Sequence, residues 1–426
     1  DGNTALIHAF KRYKIIDEVI FELLKQKPDL NIQNYYKETA ITFAFSFYNN
    51  TKLLLELLKH KPELNIQGSQ KKTGAIHAFE KCKNKAVLLE ILKQKPDLNI
   101  QDYYGKNVVM YAFEHCSDKE VLMEILKQKP DLNIQAENFN DRYKKSKTVS
   151  MYAFKHCSNE EVLLEIIKQK PKLNIIDEYD KNVIFYIYTY CSNKEVLILE
   201  ILKQYLNLNN QDKNFQSILS ELLYYGIYYC LDKEVLLEIL KYKPDLNKTQ
   251  YNQNCALLAF GNIKSTEEVL LEILKHKPDL NMRNSENYTI TIYAFKSHSN
   301  KEKVLLEILK QKPDLNIQCN NNYDNDTVVH HTIKHYINKD EYATSEKVLL
   351  EILKQKPNLN IKNNVGENIL MHALRIYPYT NTNTNTNTET YKYQEIILEI
   401  LKQKPDLNSQ NCSKMTPLMY AFNYCS

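Results

Sequence analysis

Tryptophan is absent from this 426-residue chain, and glycine numbers only seven. So few glycines leave no Gly-rich loop to cradle a phosphate, and no GxSxG, HExxH, CxxC or Walker-type pattern occurs. No window approaches the roughly 18 consecutive apolar residues that mark a membrane-spanning helix. No signal-peptide pattern opens the chain. Charge of one sign is also lacking. The 56 basic and 52 acidic residues leave a net of +4, which argues against a broad footprint for DNA or RNA. The first residue is Asp1, and the last unit is half complete at Ser426, so the expectation is a segment of a longer protein.

What is present is one phrase, close to EVLLEILKQKPDLNIQ, said eleven times. Asn31, Asn65, Asn99, Asn133, Asn174, Asn209, Asn247, Asn281, Asn316, Asn360 and Asn408 fill one slot of it, mostly 34 residues apart. A repeat of that length predicts a stacked helical solenoid, read as one domain over 1–426. In the unit around Val108, Asn107 caps a first helix that is apolar nearly all round. A second helix starts near Asp118 and carries Val121, Leu122, Ile125 and Leu126 on one side. Glu120, Glu124, Lys127 and Gln128 fall on the other, facing water. Pro130 stops this helix, and a polar loop of about a dozen residues follows. About eleven helix pairs and one terminal helix are expected.

The loop is too long for two-helix repeats that consume the whole period. In the last unit, Thr416-Pro417-Leu418-Met419-Tyr420-Ala421-Phe422 resembles the TPLHxAA phrase of ankyrin repeats. Weaker versions run from Thr4 to Phe10 and from Thr73 to Phe79. The resemblance covers essentially the whole chain. It implies an all-α repeat with extended finger loops and helix–turn–helix units. Three departures stand out. Lys-Pro, as at Lys95-Pro96, replaces the family's helix-ending glycine, so a proline stop is expected in place of a positive-φ cap. The signature His slot holds a His only at His330, so its hydrogen bond should be missing elsewhere. Phe45, Phe113, Phe154 and Phe295 replace the second Ala.

The spacing breaks at a few places. Extra residues fall in loops near 136–147, 320–326 and 338–344, the first with the basic run Arg142–Lys147. The helix around Val196–Glu200 has one extra residue, expected as a π-bulge. An Asn/Thr insert near 378–391 is low in complexity and expected to be disordered.

Candidate chemistry dissolves into the repeat. His331 and His335 lie i, i+4, and His115-Cys116 matches His156-Cys157 one unit on. Metal binding is the weaker reading of both, since His331 shares its column with His8, His77 and His372. Cys82, Cys116, Cys157, Cys191, Cys230 and Cys425 share one slot and read as small buried thiols of a reducing interior. Glu–Lys pairs on every second helix read as a solvated face. No catalytic residue, cofactor or metal is assigned.

The function expected is a non-enzymatic scaffold, intracellular and cytoplasmic, monomeric, with a protein partner and neither nucleic acid nor membrane. By resemblance the contacts lie on the concave face, at finger tips and first-helix ends. The tips are Tyr35, Tyr36, Tyr103, Tyr104, Lys106, Glu178, Tyr179 and Lys181. The helix ends are Glu114, His115, Lys155, His156, Tyr190, Tyr228 and Tyr229. The alternatives are a targeting arm of a larger enzyme, such as a kinase or ubiquitin ligase, and a metal- or redox-responsive stack.

Overall fold

A computed structural model describes residues 1–11, 17–137, 145–205, 213–250, 253–319, 325–338, 344–376 and 387–424. Contacts divide the chain into two compact units, Asp1–Ile218 and Leu219–Ser426.

The first unit holds six helix pairs. They are α1 (Ala5–Lys11) with α2 (Asp17–Lys25), α3 (Ala40–Phe47) with α4 (Thr51–Lys59), and α5 (Gly74–Lys81) with α6 (Lys85–Lys93). Then come α7 (Val108–His115) with α8 (Lys119–Lys127), α9 (Val149–His156) with α10 (Glu160–Lys168), and α11 (Val183–Tyr190) with α12 (Lys194–Tyr205). The unit boundary falls within α13 (Lys213–Tyr228), which α14 (Lys233–Lys241) follows in the chain. The second unit continues with α15 (Cys255–Gly261) and α16 (Glu267–Lys275), then α17 (Ile290–Ser297) and α18 (Glu302–Lys310). It ends with α19 (Val328–Asn338) and α20 (Glu346–Lys354), α21 (Ile369–Ile376) and α22 (Asn387–Lys402), and α23 (Pro417–Tyr424) alone. The expected eleven pairs and terminal helix are all present among the described residues.

Within each unit, first helices pack on first helices of the next pair, as α5 on α7 and α15 on α17, and second helices on second helices, as α6 on α8 and α16 on α18. Sequence periodicity explains the two layers. In α7, Val108 through Phe113 are all buried, because a helix between two neighbours has no free side. In α8 only Val121, Leu122, Ile125 and Leu126 are buried, and Glu124 pairs with Lys127 at 2.9 Å on the wet face. Each exposed i, i+3 pair of this kind contributes about 0.2–0.5 kcal/mol. Phe10, Phe45, Phe79, Phe113 and Phe154 in the first unit, and Phe260 and Phe295 in the second, are buried in the slot where an alanine was replaced.

The caps follow the sequence. Asn107 Oδ1 accepts from the Met110 amide at 3.0 Å, and Asp118 accepts from Glu120 and Val121. The end of each second helix does not follow it. Lys27, Lys61, Lys95, Lys129, Lys170, Lys243, Lys277, Lys312, Lys356 and Lys404 all have φ between 48° and 55°. The positive-φ cap is therefore kept, with lysine where glycine is usual, and Pro acts only from the next position. The Lys95 amide closes the turn on Leu92 O at 3.0 Å. An L side chain in this region costs roughly 1–2 kcal/mol.

The extra residue near Val196 makes no π-bulge. α12 stays α-helical and starts one residue early. Leu197, Ile198, Ile201 and Leu202 keep the buried i, i+1, i+4, i+5 spacing, and Val196 goes to the surface at 43% exposure.

Two fingers form short antiparallel hairpins. β1 (Gln135–Glu137) pairs with β2 (Lys145–Thr148), and β3 (Thr249–Gln250) pairs with β4 (Gln253–Asn254). Residues 138–144 of the basic insert, 320–324, 339–343 and 377–386 lie outside the described residues. Of the Asn/Thr insert, 387–391 open α22. No helix among the described residues is long and apolar enough to cross a membrane.

The repeated phrase also joins the repeats. The Asn31 side chain accepts from the Glu63 amide at 2.8 Å, Asn65 from Asp97, Asn99 from Asp131 and Asn133 from Lys172. In the second unit Asn247, Asn281, Asn316 and Asn360 do the same. Gln128 was placed on the water face, yet its amide reaches back to Leu92 O at 3.0 Å, as Gln94 reaches Leu58 O. In the fingers, Gln67 donates to Lys71 O within its own turn and to Gln101 O in the next.

Candidate interaction surface

Several fingers are built on one polar residue. Asp102 is buried, and its Oδ1 accepts from the amides of Tyr104 and Lys106 at 2.8 and 2.9 Å. Its Oδ2 accepts from the Tyr111 hydroxyl at 2.7 Å, which ties the finger to α7. Gly105 sits at φ 68°, and a Cβ there would meet the Glu137 amide nitrogen at 2.7 Å, so no larger residue fits. Asp177 repeats the arrangement with Tyr179, Lys181 and Tyr186. Burial and then the carboxylate partner push the Tyr111 and Tyr186 hydroxyls well above their ordinary pKa, so both remain donors. Fingers also join by backbone: the Tyr103 amide donates to Gln70 O and the Glu137 amide to Tyr104 O.

This construction leaves rings at the tips. Tyr35 is 83% exposed, Tyr179 69%, Tyr36 61% and Tyr103 50%. Tyr104 is half-buried and meets Tyr103 edge-on at 5.7 Å. Along the first-helix ends, His115 stacks on Tyr111, His156 on Tyr152 and Tyr190 on Tyr186, with centroids 5.7–6.1 Å apart. Burial first, then Lys155, lowers the His156 pKa. In the second unit Tyr228 is exposed and meets the half-buried Tyr229 edge-on at 5.1 Å.

The charged candidates face one another. Lys106 Nζ binds both Glu114 oxygens at 2.8 and 2.9 Å and lies over the rings of Tyr111 and Tyr152. Lys147 Nζ holds Glu178 at 3.0 Å and lies 5.7 Å from the Tyr179 ring. Burial opposes the Glu178 charge, but backbone and Lys147 donors hold its carboxyl below the usual range. Lys181 sits over Phe185 at 4.9 Å. Lys155 is exposed. Tyr104, Lys106, Glu114 and His115 share a cleft of about 610 Å³ with Lys72 and Glu80. Tyr111, Tyr152 and Tyr186 are not singled out by the sequence, and Lys147 reads there only as part of a basic loop. For Tyr111 and Tyr186 the signal is an aspartate nine positions earlier, visible only once finger and helix are paired.

One repeat carries a histidine in the signature slot. His330 Nδ1 receives the Thr327 amide at 3.2 Å and meets the Thr327 hydroxyl at 2.9 Å, closing the helix start. Thr42 Oγ1 and Met151 Sδ take the same amide bond in two other units, so the bond survives without the histidine there. With a finger, two short helices and this cap, the unit is complete. These repeats resemble ankyrin repeats.

No family model and no curated protein matches the chain. Solved structures similar to parts of it include EF0377, an ankyrin repeat protein, at 18% identity and TM-score 0.35, covering 47% of this chain and 90% of that one. An ankyrin repeat domain from Acinetobacter baumannii AYE is similar at 18% identity and TM-score 0.34, over 48% and 91%. A chain of the complex between the Bdellovibrio bacteriovorus predatory endopeptidase Bd0816 and immunity protein Bd3460 is similar at 19% and 0.34, over 49% and 91%.

No group of three or more His, Cys, Asp or Glu among the described residues is arranged for a metal. The cysteine column is not uniformly buried: Cys191 is buried, Cys82, Cys116 and Cys157 are half-buried, and Cys230 is exposed. Cys425 lies outside the described residues. Burial pushes the Cys191 thiol up to about 12, so it stays protonated and unreactive.

Proposed function

We propose that the chain is a non-enzymatic ankyrin scaffold that binds a partner protein through its finger tips and adjoining first-helix ends. The observation that carries this reading is the set of tyrosines Tyr35, Tyr36, Tyr103 and Tyr179. They are held out on turns whose backbone is fixed by buried Asn34, Asp102 and Asp177. A ring already fixed in place loses little freedom on binding and brings both apolar area and a hydroxyl.

The test is capture by the intact 426-residue chain. Tyr35→Ser with Tyr36→Ser, and Tyr103→Ser with Tyr179→Ser, should abolish retention of the partner while leaving the helical circular dichroism unchanged. Glu90→Gln with Lys93→Gln, on the outer face, should leave retention intact. Equal retention by tip and outer-face variants would overturn the assignment.

A further inference from the structure

The last repeat leaves apolar side chains in water that the same slots bury elsewhere. Leu418 of α23 is 63% exposed, whereas Val109 in the matching slot of α7 is fully buried. Leu401 of α22 and Leu407 of the loop after it are exposed, whereas Leu92 and Leu98 in their slots are buried. These side chains line one groove of about 830 Å³ between α22 and α23, with Leu398 and Ala421 on its walls. A contiguous apolar surface of this kind marks a place where another element packs.

The other repeats of the same unit show what fits such a groove. α16 packs on both α14 and α15, α18 on α16 and α17, and α20 on α18 and α19. Each entering helix brings two doubled apolar pairs, four residues apart. In α16 these are Val269 with Leu270 and Ile273 with Leu274, all buried, and α18 and α20 repeat the pattern. The charged residues stay on the far side, as Glu272 with Lys275 at 2.6 Å. Against α22 and α23 no described helix takes that place.

A second copy of residues 1–426 has no helix to offer. Its second helices α4, α6, α8, α10, α14, α16, α18 and α20 already have both apolar pairs buried. In α2 Val19 is exposed, but α2 packs against α1, and with α2 in the groove α1 would fall on α23.

We propose that the groove between α22 and α23 is a docking site for one amphipathic helix of a partner protein. That helix carries two doubled apolar pairs four residues apart and charges on its other face, like the second helices of this array. The contact is the helix-in-groove kind, in which the apolar face of the incoming helix supplies the affinity. It is separate from the tip tyrosines Tyr35, Tyr36, Tyr103 and Tyr179, all of which lie in the first unit.

The test uses the intact chain and a fluorescent peptide with the sequence of residues 117–133, which spans α8, its Asp118 cap and its proline stop. A free helix of this length is marginal in water. On mixing, the peptide should bind saturably and gain helical circular dichroism. A peptide carrying Leu122→Glu and Ile125→Glu should bind at least tenfold more weakly. Leu401→Glu with Leu418→Glu in the chain should cause a similar loss. Ile263→Glu, at an exposed apolar residue of the same unit outside the groove, should change binding less than twofold. Because all three chain positions are exposed, the variants should keep the wild-type melting curve. No binding by the wild-type chain would overturn the proposal, as would equal losses from the groove and Ile263 variants. Equal binding of a scrambled peptide of the same composition would mark unspecific apolar attraction and overturn it too. So would a wild-type dimer in sedimentation that Leu418→Glu disperses, since the groove would then belong to a second copy. The Tyr35→Ser with Tyr36→Ser variant should bind the peptide as the wild type does, so the tip surface and the groove can each fail while the other stands.

Discussion

Lys147 reaches past its own helix to Glu178 on the next finger, Nζ to Oε1 at 3.0 Å. That single side chain links two repeats. The outer helices vary less: their Glu–Lys pairs recur from Glu22–Lys25 to Glu399–Lys402, with Glu165 in α10 and Glu200 in α12 taking a glutamine donor instead. Identity between repeats thus belongs to the scaffold, and difference belongs to the finger and first-helix end.

Lys95 is held at φ 51° by the turn that ends α6. Lys95→Gly should raise the chemical denaturation midpoint, with a gain of about 0.5–1 kcal/mol after glycine's own entropic cost. Lys95→Val, β-branched at the same angle, should lower it. A lower midpoint for the glycine variant would show that the lysine side chain itself contributes more than its backbone costs.

Asn99 accepts from the Asp131 amide across the repeat boundary at 2.9 Å. Asn99→Ala leaves that amide without its acceptor and should cost about 1 kcal/mol. Asn99→Asp keeps an acceptor in the same place and should recover most of the loss. Thermal melts of the three proteins check this, and equal melts for the alanine and wild-type chains would count against the ladder as a stabilising contact.

Acid should weaken the second unit first through its buried histidines. Burial holds His298 at about 4 and His330 at about 3, against an ordinary 6.5, and also lowers His372. Below 6.5 the unfolded chain takes up protons that the folded one refuses. Stability is therefore full above pH 6.5 and falls progressively as pH drops toward 4 and then 3. Burial opposes the Glu367 charge, but His372, Tyr420 and Arg375 hold its carboxyl at about 2, so it stays ionised across that window. His298→Gln with His330→Gln should flatten the change in urea midpoint between pH 7 and pH 4.5. The same slope in variant and wild type would place the acid sensitivity elsewhere.

Much of this fold was legible in the sequence because its determinants are local. Asn107 and Asp118 cap where their hydrogen-bonding chemistry says they should, and Val121, Leu122, Ile125 and Leu126 fall on one face by period alone. The positive φ of Lys95 was hidden because glycine is the usual marker of that conformation, and lysine there gives no signal. The cross-repeat bond of Gln128 was hidden because its partner, Leu92 O, lies one repeat away in space. The tip tyrosines were legible as variable, polar-tipped residues in turns. The bond from Lys147 to Glu178 was not, since only the folded finger fixes where Lys147 points.

The bonds made by Asn99, Gln128 and Gln67 each end on the adjacent repeat and reach no further. A whole repeat copied into the array, or excised from it, would leave every such bond with an equivalent partner on both sides. Chain length here is an editable quantity. Recombination between near-identical gene segments can lengthen or shorten the binding row while each new junction closes with the contacts the old one had.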